Sequence, residues 1–256
     1  MLPKLLPLIP EHSVYVEPFC GGASLLFGKP KVNIEVINDL NKDLITLYRV
    51  AKTPQLREEL IERLNATLYS RAEHEKAVNI YKQGGFDEVT TAWAFYVNSQ
   101  MGFANQPNRG WGVSVVSNQA LRWTNRLTRL KAQVDRLKEV YIEHKDALAI
   151  IKQWDSPSTL FYCDPPYVGT DQSHYKGYKA ADLKALCDVL EKIQGSFILS
   201  GYAHDCVPAS WEHFEFNATC SAANTKLKLD RARVEHVWRN RTIQSQKQLV
   251  FLGLQG

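Results

Sequence analysis

Val14-Tyr15-Val16-Glu17-Pro18-Phe19-Cys20-Gly21-Gly22-Ala23, followed by Val32-Asn33-Ile34-Glu35-Val36-Ile37-Asn38-Asp39, decides the fold. The first stretch is a short β-branched and aromatic run that breaks at a proline and then at paired glycines. The second alternates and stops at Asn-Asp, after which Leu40, Leu44, Leu47 and Tyr48 recur at helical spacing. Strand, glycine turn, helix and a second strand ending in an acid make up the opening of a dinucleotide-type α/β half. Glycines in such a turn let a ligand approach the backbone closely. Asp39 lies 17 residues beyond Gly22, near the ~20 residues at which an acid meets ribose hydroxyls in such folds. Tight strand-to-helix turns need glycine in any case, and Asp39 equally suits a helix N-cap.

Outward from this half, the β signal disappears between about Lys52 and Lys138. Leu56, Leu60, Ile61 and Leu64, then Trp93 and Val97, and later Trp123, Leu127, Leu130, Val134 and Leu137 carry helical periodicity. Residues 51–138 therefore read as a helical insert, and residues 1–50 with 139–256 as the α/β domain that carries it. The middle of the insert, Met101 to Gly112, is rich in glycine, asparagine and aromatics and reads as an exposed loop. Strands return at Val140–Ile142, Thr159–Cys163, Ser196–Ser200 and Gln248–Leu252, with a helix near Ala181 to Ile193. The expected fold is a mixed, mostly parallel α/β sheet with an inserted helical lobe.

The 256 residues, 45% of them apolar, suffice for one substantial core. No apolar run reaches the ~18 to 20 residues of a bilayer crossing, and Met1 to Pro7 is too short and proline-broken for a signal segment. A soluble, cytoplasmic monomer is expected. The five cysteines are widely spaced and contain no C-x-x-C pair, so neither a disulfide framework nor a zinc cage is indicated, and no metal is expected. Net charge is only +4, but it is concentrated. Seven bases face one acid between Asn98 and Lys138, and seven face two between Lys226 and Lys247. Two such patches suit a polyanion partner, although solvated helix faces produce the same pattern.

The sharpest string is Asp164-Pro165-Pro166-Tyr167, directly after the apolar strand Leu160 to Cys163. Ligands of α/β sheets collect beyond the carboxyl ends of strands. Two prolines give a stiff backbone without donors, so that one carboxylate and fixed carbonyls can cradle an amino group, while Tyr167 offers a flat face for a planar base. Methylation of an exocyclic amine needs this arrangement. If Asp164 and the Pro165 carbonyl each accept an amine hydrogen, the nitrogen moves toward a tetrahedral shape with its lone pair aimed at an electrophilic methyl. Such a reaction requires no metal. Asp-Pro-Pro is also ordinary turn chemistry, and it is the position after a buried strand that favours a site. Asp146, after a third strand, is placed to meet an adenine edge or to cap a helix.

These motifs, in this order, resemble the Dam-like DNA N6-adenine methyltransferases of bacteria and phages. Glu17 to Ala23 is similar to that family's cofactor loop, Asn38 to Ile45 to its ribose-acid motif, and Asp164 to Tyr167 to its catalytic motif. Asp146 falls where the family has an acid near the cofactor adenine, and Ser200-Gly201-Tyr202 and Arg233 to Asn240 resemble later motifs with less specificity. The family's loop usually reads F-x-G-x-G, against Phe19-Cys20-Gly21-Gly22-Ala23 here, and its usual aromatic-Gly-Gly-Lys opening has no counterpart in this sequence.

The resemblance implies a Rossmann-like S-adenosylmethionine-dependent methyltransferase fold, S-adenosylmethionine as donor and a flipped adenine in double-stranded DNA as acceptor. It implies Glu17, Phe19, Cys20, Gly21, Gly22, Asp39, Asp146 and Asp164 as cofactor-binding residues. Asp164, Pro165, Pro166 and Tyr167 become catalytic, and Asn105, Arg109, Trp111, Arg122, Arg126, Arg129 and Lys131 DNA-binding, with Arg109 on a guanine and the helix bases on phosphates. Two alternatives stand beside it: a non-catalytic DNA-binding relative, and a methyltransferase acting on another planar amine such as cytosine N4 or adenine in RNA. The recognised DNA sequence is not readable from the chain.

Overall fold

The computed structural model describes residues 1–103, 108–168, 177–219 and 232–240. Asn105 and the strand expected at Gln248–Leu252 lie outside them, as does most of the second basic stretch. In chain order the elements are α1 (Leu2–Leu5), β1 (Val14–Glu17), α2 (Ser24–Gly28), β2 (Ile34–Asn38), α3 (Lys42–Lys52), α4 (Pro54–Ala66), α5 (Arg71–Gln83), α6 (Glu88–Met101), α7 (Gln119–Leu137), β3 (Val140–Glu143), α8 (Ala147–Trp154), β4 (Thr159–Cys163), α9 (Ala180–Leu190), β5 (Ser196–Gly201), β6 (Glu212–Thr219) and β7 (Ala232–Arg239). They form two compact units, one of Met1–Asn38 with Lys145–Gly256 and one of Asp39–His144.

The first unit contributes six strands to the sheet, in the order β2-β1-β4-β5-β7-β6. β1 pairs in parallel with β2 and β4, and β4 with β5, while β7 runs antiparallel to both β5 and β6. This is the mixed, mostly parallel α/β sheet that the sequence pattern predicts. All five residues of β4 are buried, as a strand covered on both faces requires. Val16, Val36, Phe161, Phe197 and Leu199 from four neighbouring strands pack with Ile150 and Ile151 of α8 and with Leu183, Leu186 and Leu190 of α9. Removing the fully buried Phe161 ring would cost about 3–5 kcal/mol. That core fixes the carboxyl end of β4, where the acid of Asp-Pro-Pro-Tyr emerges.

The second unit is helical apart from β3. α6 is buried along nearly its whole length, because its Ala92-Trp93-Ala94-Phe95-Tyr96-Val97 run is apolar all round. Asn41, not Asp39, caps α3, accepting from the N–H groups of Asp43 and Leu44. Leu40 therefore lies outside the helix and is exposed. The loop after α6 is closed at its base, where Phe103 N–H donates to Gly110 O and Gly112 N–H to Met101 O, both at 2.7 Å.

Candidate functional site

The turn after β1 is built on two residues in the left-handed region, Gly21 at φ +45° and Ala23 at φ +48°. Cys20 N–H donates to Asn38 O at 2.9 Å, tying the turn to the end of β2. A Cβ on Gly21 would meet nothing within 4 Å, and one on Gly22 only Ser24 Oγ at 3.9 Å. Packing against the rest of the chain does not explain these glycines. A bare turn at the carboxyl end of a parallel strand is where a nucleotide-like group can approach the backbone.

Glu17 is buried, and its Oε1 accepts from the Tyr15 hydroxyl at 2.7 Å and from Leu26 N–H at 2.8 Å. It thereby holds the start of α2 against β1. Burial pushes its carboxyl up to about 7, against the two hydrogen bonds, which lower it. Phe19 packs edge-on to Tyr178 with ring centroids 6.4 Å apart. Asp146 caps α8, its Oδ1 accepting from Leu148 N–H at 3.0 Å and Ala149 N–H at 3.1 Å. Asp39, the first residue of the second unit, is buried, and its Oδ1 accepts from Asn41 N–H at 2.9 Å.

Asp164 lies at the end of β4 with its carboxylate accessible from a cleft of about 510 Å³. Tyr162, Tyr167, Ser200 and Glu235 supply polar lining, and Met1, Leu2, Leu5 and Leu25 apolar lining. Oδ1 accepts from the Ser200 hydroxyl at 3.0 Å and the Tyr167 hydroxyl at 3.1 Å. No donor among the described residues reaches Oδ2. Although solvent reaches the carboxylate, the surrounding protein desolvates its charge and raises it to about 6. The Ser200 and Tyr167 hydrogen bonds oppose the rise, and the Glu235 charge adds to it. Pro165 and Pro166 are buried. The Tyr167 ring packs against Tyr202 at 4.6 Å, tilted by 59°.

Ser200 and Tyr202 are among the site residues that the sequence argument did not assign. Their signal was Ser-Gly-Tyr at the end of a second parallel strand, the neighbour of β4. Ser200 also lies 3.2 Å from the Tyr162 hydroxyl, so a short hydroxyl chain stands behind Asp164.

In the second unit, Arg122, Arg129 and Lys131 are exposed on α7. Arg126 is half-buried, donates to Gln100 O at 2.5 Å and stands near Tyr69 and Tyr96. Burial lowers its guanidinium below the usual arginine range. Arg109 and Trp111 line a recess of about 840 Å³ with Arg71, His74, Lys82 and Asn108. The Arg71 guanidinium lies 5.0 Å from the Trp111 ring centroid. Trp111 Nε1 and His74 Nε2 are buried with no hydrogen-bond partner among the described residues. Arg71 and His74 had no visible signal in the sequence, since both sit on an ordinary amphipathic helix.

A sequence model of the D12 class N6 adenine-specific DNA methyltransferase family matches residues 1–217. No curated protein sequence matches the chain. Among solved structures, the chain is similar to the yhhF protein of Escherichia coli, described as a methyltransferase, at 12% identity over 94% of this chain and 82% of that one, with a TM-score of 0.38. It is similar to the same degree to the rRNA methyltransferase aviRa of Streptomyces viridochromogenes, at 12% identity over 96% of this chain and 82% of that one, with a TM-score of 0.37. Structural likeness at that level adds nothing to the sheet topology. The family match reaches into both units and takes in the glycine turn and Asp164 to Tyr167, and the chain belongs to the D12 class N6 adenine-specific DNA methyltransferases.

Proposed function

We propose that the chain transfers a methyl group from S-adenosylmethionine to the N6 amine of an adenine turned out of double-stranded DNA, with Asp164 as the residue that holds the amine. The observation that carries this reading is the state of the Asp164 carboxylate. Oδ1 is fixed by two hydroxyl donors, Oδ2 takes no donor among the described residues, and the carboxylate lines a cleft of about 510 Å³. S-adenosylmethionine, when bound, supplies an electrophilic methyl on a sulfonium. The chain's own part is to hold the amine. Asp164 Oδ2 accepts one N–H and the rigid Pro165 carbonyl the other, directing the nitrogen lone pair at the methyl. As the N–C bond forms, the C–S bond breaks with its electrons passing to sulfur, and the departing amine proton goes to the Asp164 carboxylate. Tyr167, with Tyr202 behind it, is the stacking platform that offsets part of the few kcal/mol that base flipping costs.

For the donor, the bare Gly21-Gly22 turn takes the methionine end alongside Phe19 and Cys20, with Glu17 positioning the turn from below. Asp39 binds the ribose hydroxyls, and Asp146 uses the oxygen left by its cap for the adenine amine. For DNA, Arg122, Arg129 and Lys131 hold phosphates. The recess lined by Arg109, Arg71 and Trp111 reads a base edge, with Arg109 as the donor. Arg126 supports this face from within.

The decisive experiment is incubation with S-adenosylmethionine and unmethylated duplex DNA, followed by digestion and mass spectrometry of the nucleosides. N6-methyladenine from the native chain, reduced to background by Asp164→Ala in a variant that still binds DNA, is the expected result. N4-methylcytosine as product, or full activity of the variant, would overturn the assignment.

A further inference from the structure

β6 and β7 form an antiparallel pair in which Glu215 lies directly opposite His236, and His213 opposite Trp238. Because side chains alternate along a strand, His213 and Glu215 share one face with His236 and Trp238. His213 Nε2 stands 2.8 Å from His236 Nδ1, and His236 Nδ1 stands 3.8 Å from Glu215 Oε1. All three ligand atoms lie within 4.8 Å of one another. The Trp238 ring, itself buried, lies within 13° of parallel to both imidazoles and forms an apolar flank to the cluster.

We infer that His213, Glu215 and His236 form a three-ligand site for a borderline divalent cation of the Zn²⁺ class, with the fourth position open to water. Two imidazoles and one carboxylate are a donor set that such ions favour over Mg²⁺ or Ca²⁺, which prefer oxygen-only ligands. Metal–ligand bonds of about 2.0–2.1 Å in a tetrahedron separate the ligand atoms by about 3.3 Å. The observed separations bracket that value, so the histidine nitrogens need to part by only about 0.5 Å, which the exposed His213 side chain on β6 can supply while the more buried His236 stays in place.

The site is separate from the methyl-transfer cleft. By alternation, Glu235 projects from the opposite face of β7, where it lines the Asp164 cleft. A bound cation would bridge the two strands and fix the register of the strand that carries Glu235. A cation held there does not depend on the methyltransferase reading. No local spacing motif marks these ligands in the sequence, because they are not cysteines and come from two strands brought together by long-range pairing.

The test is titration of the full chain with Zn²⁺ by calorimetry and with Co²⁺ by ligand-field absorption, alongside His213→Ala and Glu215→Gln. Both substituted side chains are exposed, and melting of each variant without metal checks its fold. The expected result is one ion per chain with a tetrahedral Co²⁺ spectrum and a Zn²⁺-dependent rise in Tm. Each variant should bind at least about tenfold more weakly. Absence of saturable binding in the native chain would overturn the inference. So would binding of native strength in both variants, which would locate the ion elsewhere on the chain.

Discussion

Asp164 carries two demands that pull in opposite directions. Holding an amine by its hydrogen requires the ionised carboxylate, yet desolvation and Glu235 raise the group to about 6. Activity should therefore decline as pH falls through about 6, by roughly tenfold per unit below it. Ser200 lowers the same group through its hydrogen bond, so Ser200→Ala should move this acid limb to higher pH, and Glu235→Gln should move it to lower pH. A limb that stays in place in both variants, measured as kcat/KM against pH, would show that another group sets it. The stability consequence has a definite sign. A carboxyl raised in the folded state stabilises below its unfolded value and loses that contribution as pH rises through about 6. Asp164→Asn should accordingly be inactive yet more stable at pH 8, by about 1 kcal/mol once solvent screening of this accessible group is allowed for. Chemical denaturation at pH 4 and pH 8 checks it, with most of the gain at the higher pH. Glu17, raised to about 7 by burial, adds a pH dependence of the same sign.

Between β1 and β2, the connection is secured by a buried ion pair. Lys29 Nζ lies 2.7 Å from Glu35 Oε1 with both side chains almost inaccessible, and 4.2 Å from the Tyr15 ring centroid. Removing one partner strands a buried charge, so Lys29→Ala should cost about 3–5 kcal/mol, measured as a shift of the denaturation midpoint at constant slope. A loss under 1 kcal/mol would mean that water replaces the ammonium. The elements around this pair were the legible ones. β1, β2, β4 and β5 are short apolar runs bounded by Gly, Pro, Asn and Asp, and each falls within about two residues of its expected place. β6 and β7 were not anticipated. Their period of two exists, with Phe214 and Phe216 alternating with His213, Glu215 and Asn217, but charged and histidine residues dilute it in a strand whose neighbours are fixed by long-range pairing. The loop base at Gly102 and Trp111 was hidden for the same reason, because a two-residue bridge is set by tertiary contacts and not by periodicity. Among site residues, Asp164 was legible from its neighbours in sequence, whereas its partners Ser200 and Glu235 reach it only through the sheet.

At the scale of the molecule, a net charge of +4 predicts little, and the placement of the bases decides which of them meet DNA. The family resemblance implies phosphate contacts for Arg122, Arg126 and Arg129 alike, but the structure separates them by exposure. Arg126 is turned inward to Gln100 O beside two tyrosines, while Arg122 and Arg129 reach solvent. Charge removal should therefore produce two distinct signatures. Arg122→Ala with Arg129→Ala should leave Tm nearly unchanged and reduce the magnitude of the slope of log K against log salt by about 2, one released counterion per lost phosphate contact. Arg126→Ala should lower Tm, because it leaves a partly buried carbonyl without its donor at a cost of about 1 kcal/mol, and it should weaken DNA binding only in proportion to the unfolding of the helical unit. Fluorescence anisotropy with duplex DNA over a salt series, set beside thermal melts of the same variants, separates the two. Equal salt slopes for the native chain and the double variant would remove α7 from the DNA interface and leave the recess around Arg71, Arg109 and Trp111 as the contact the second unit makes.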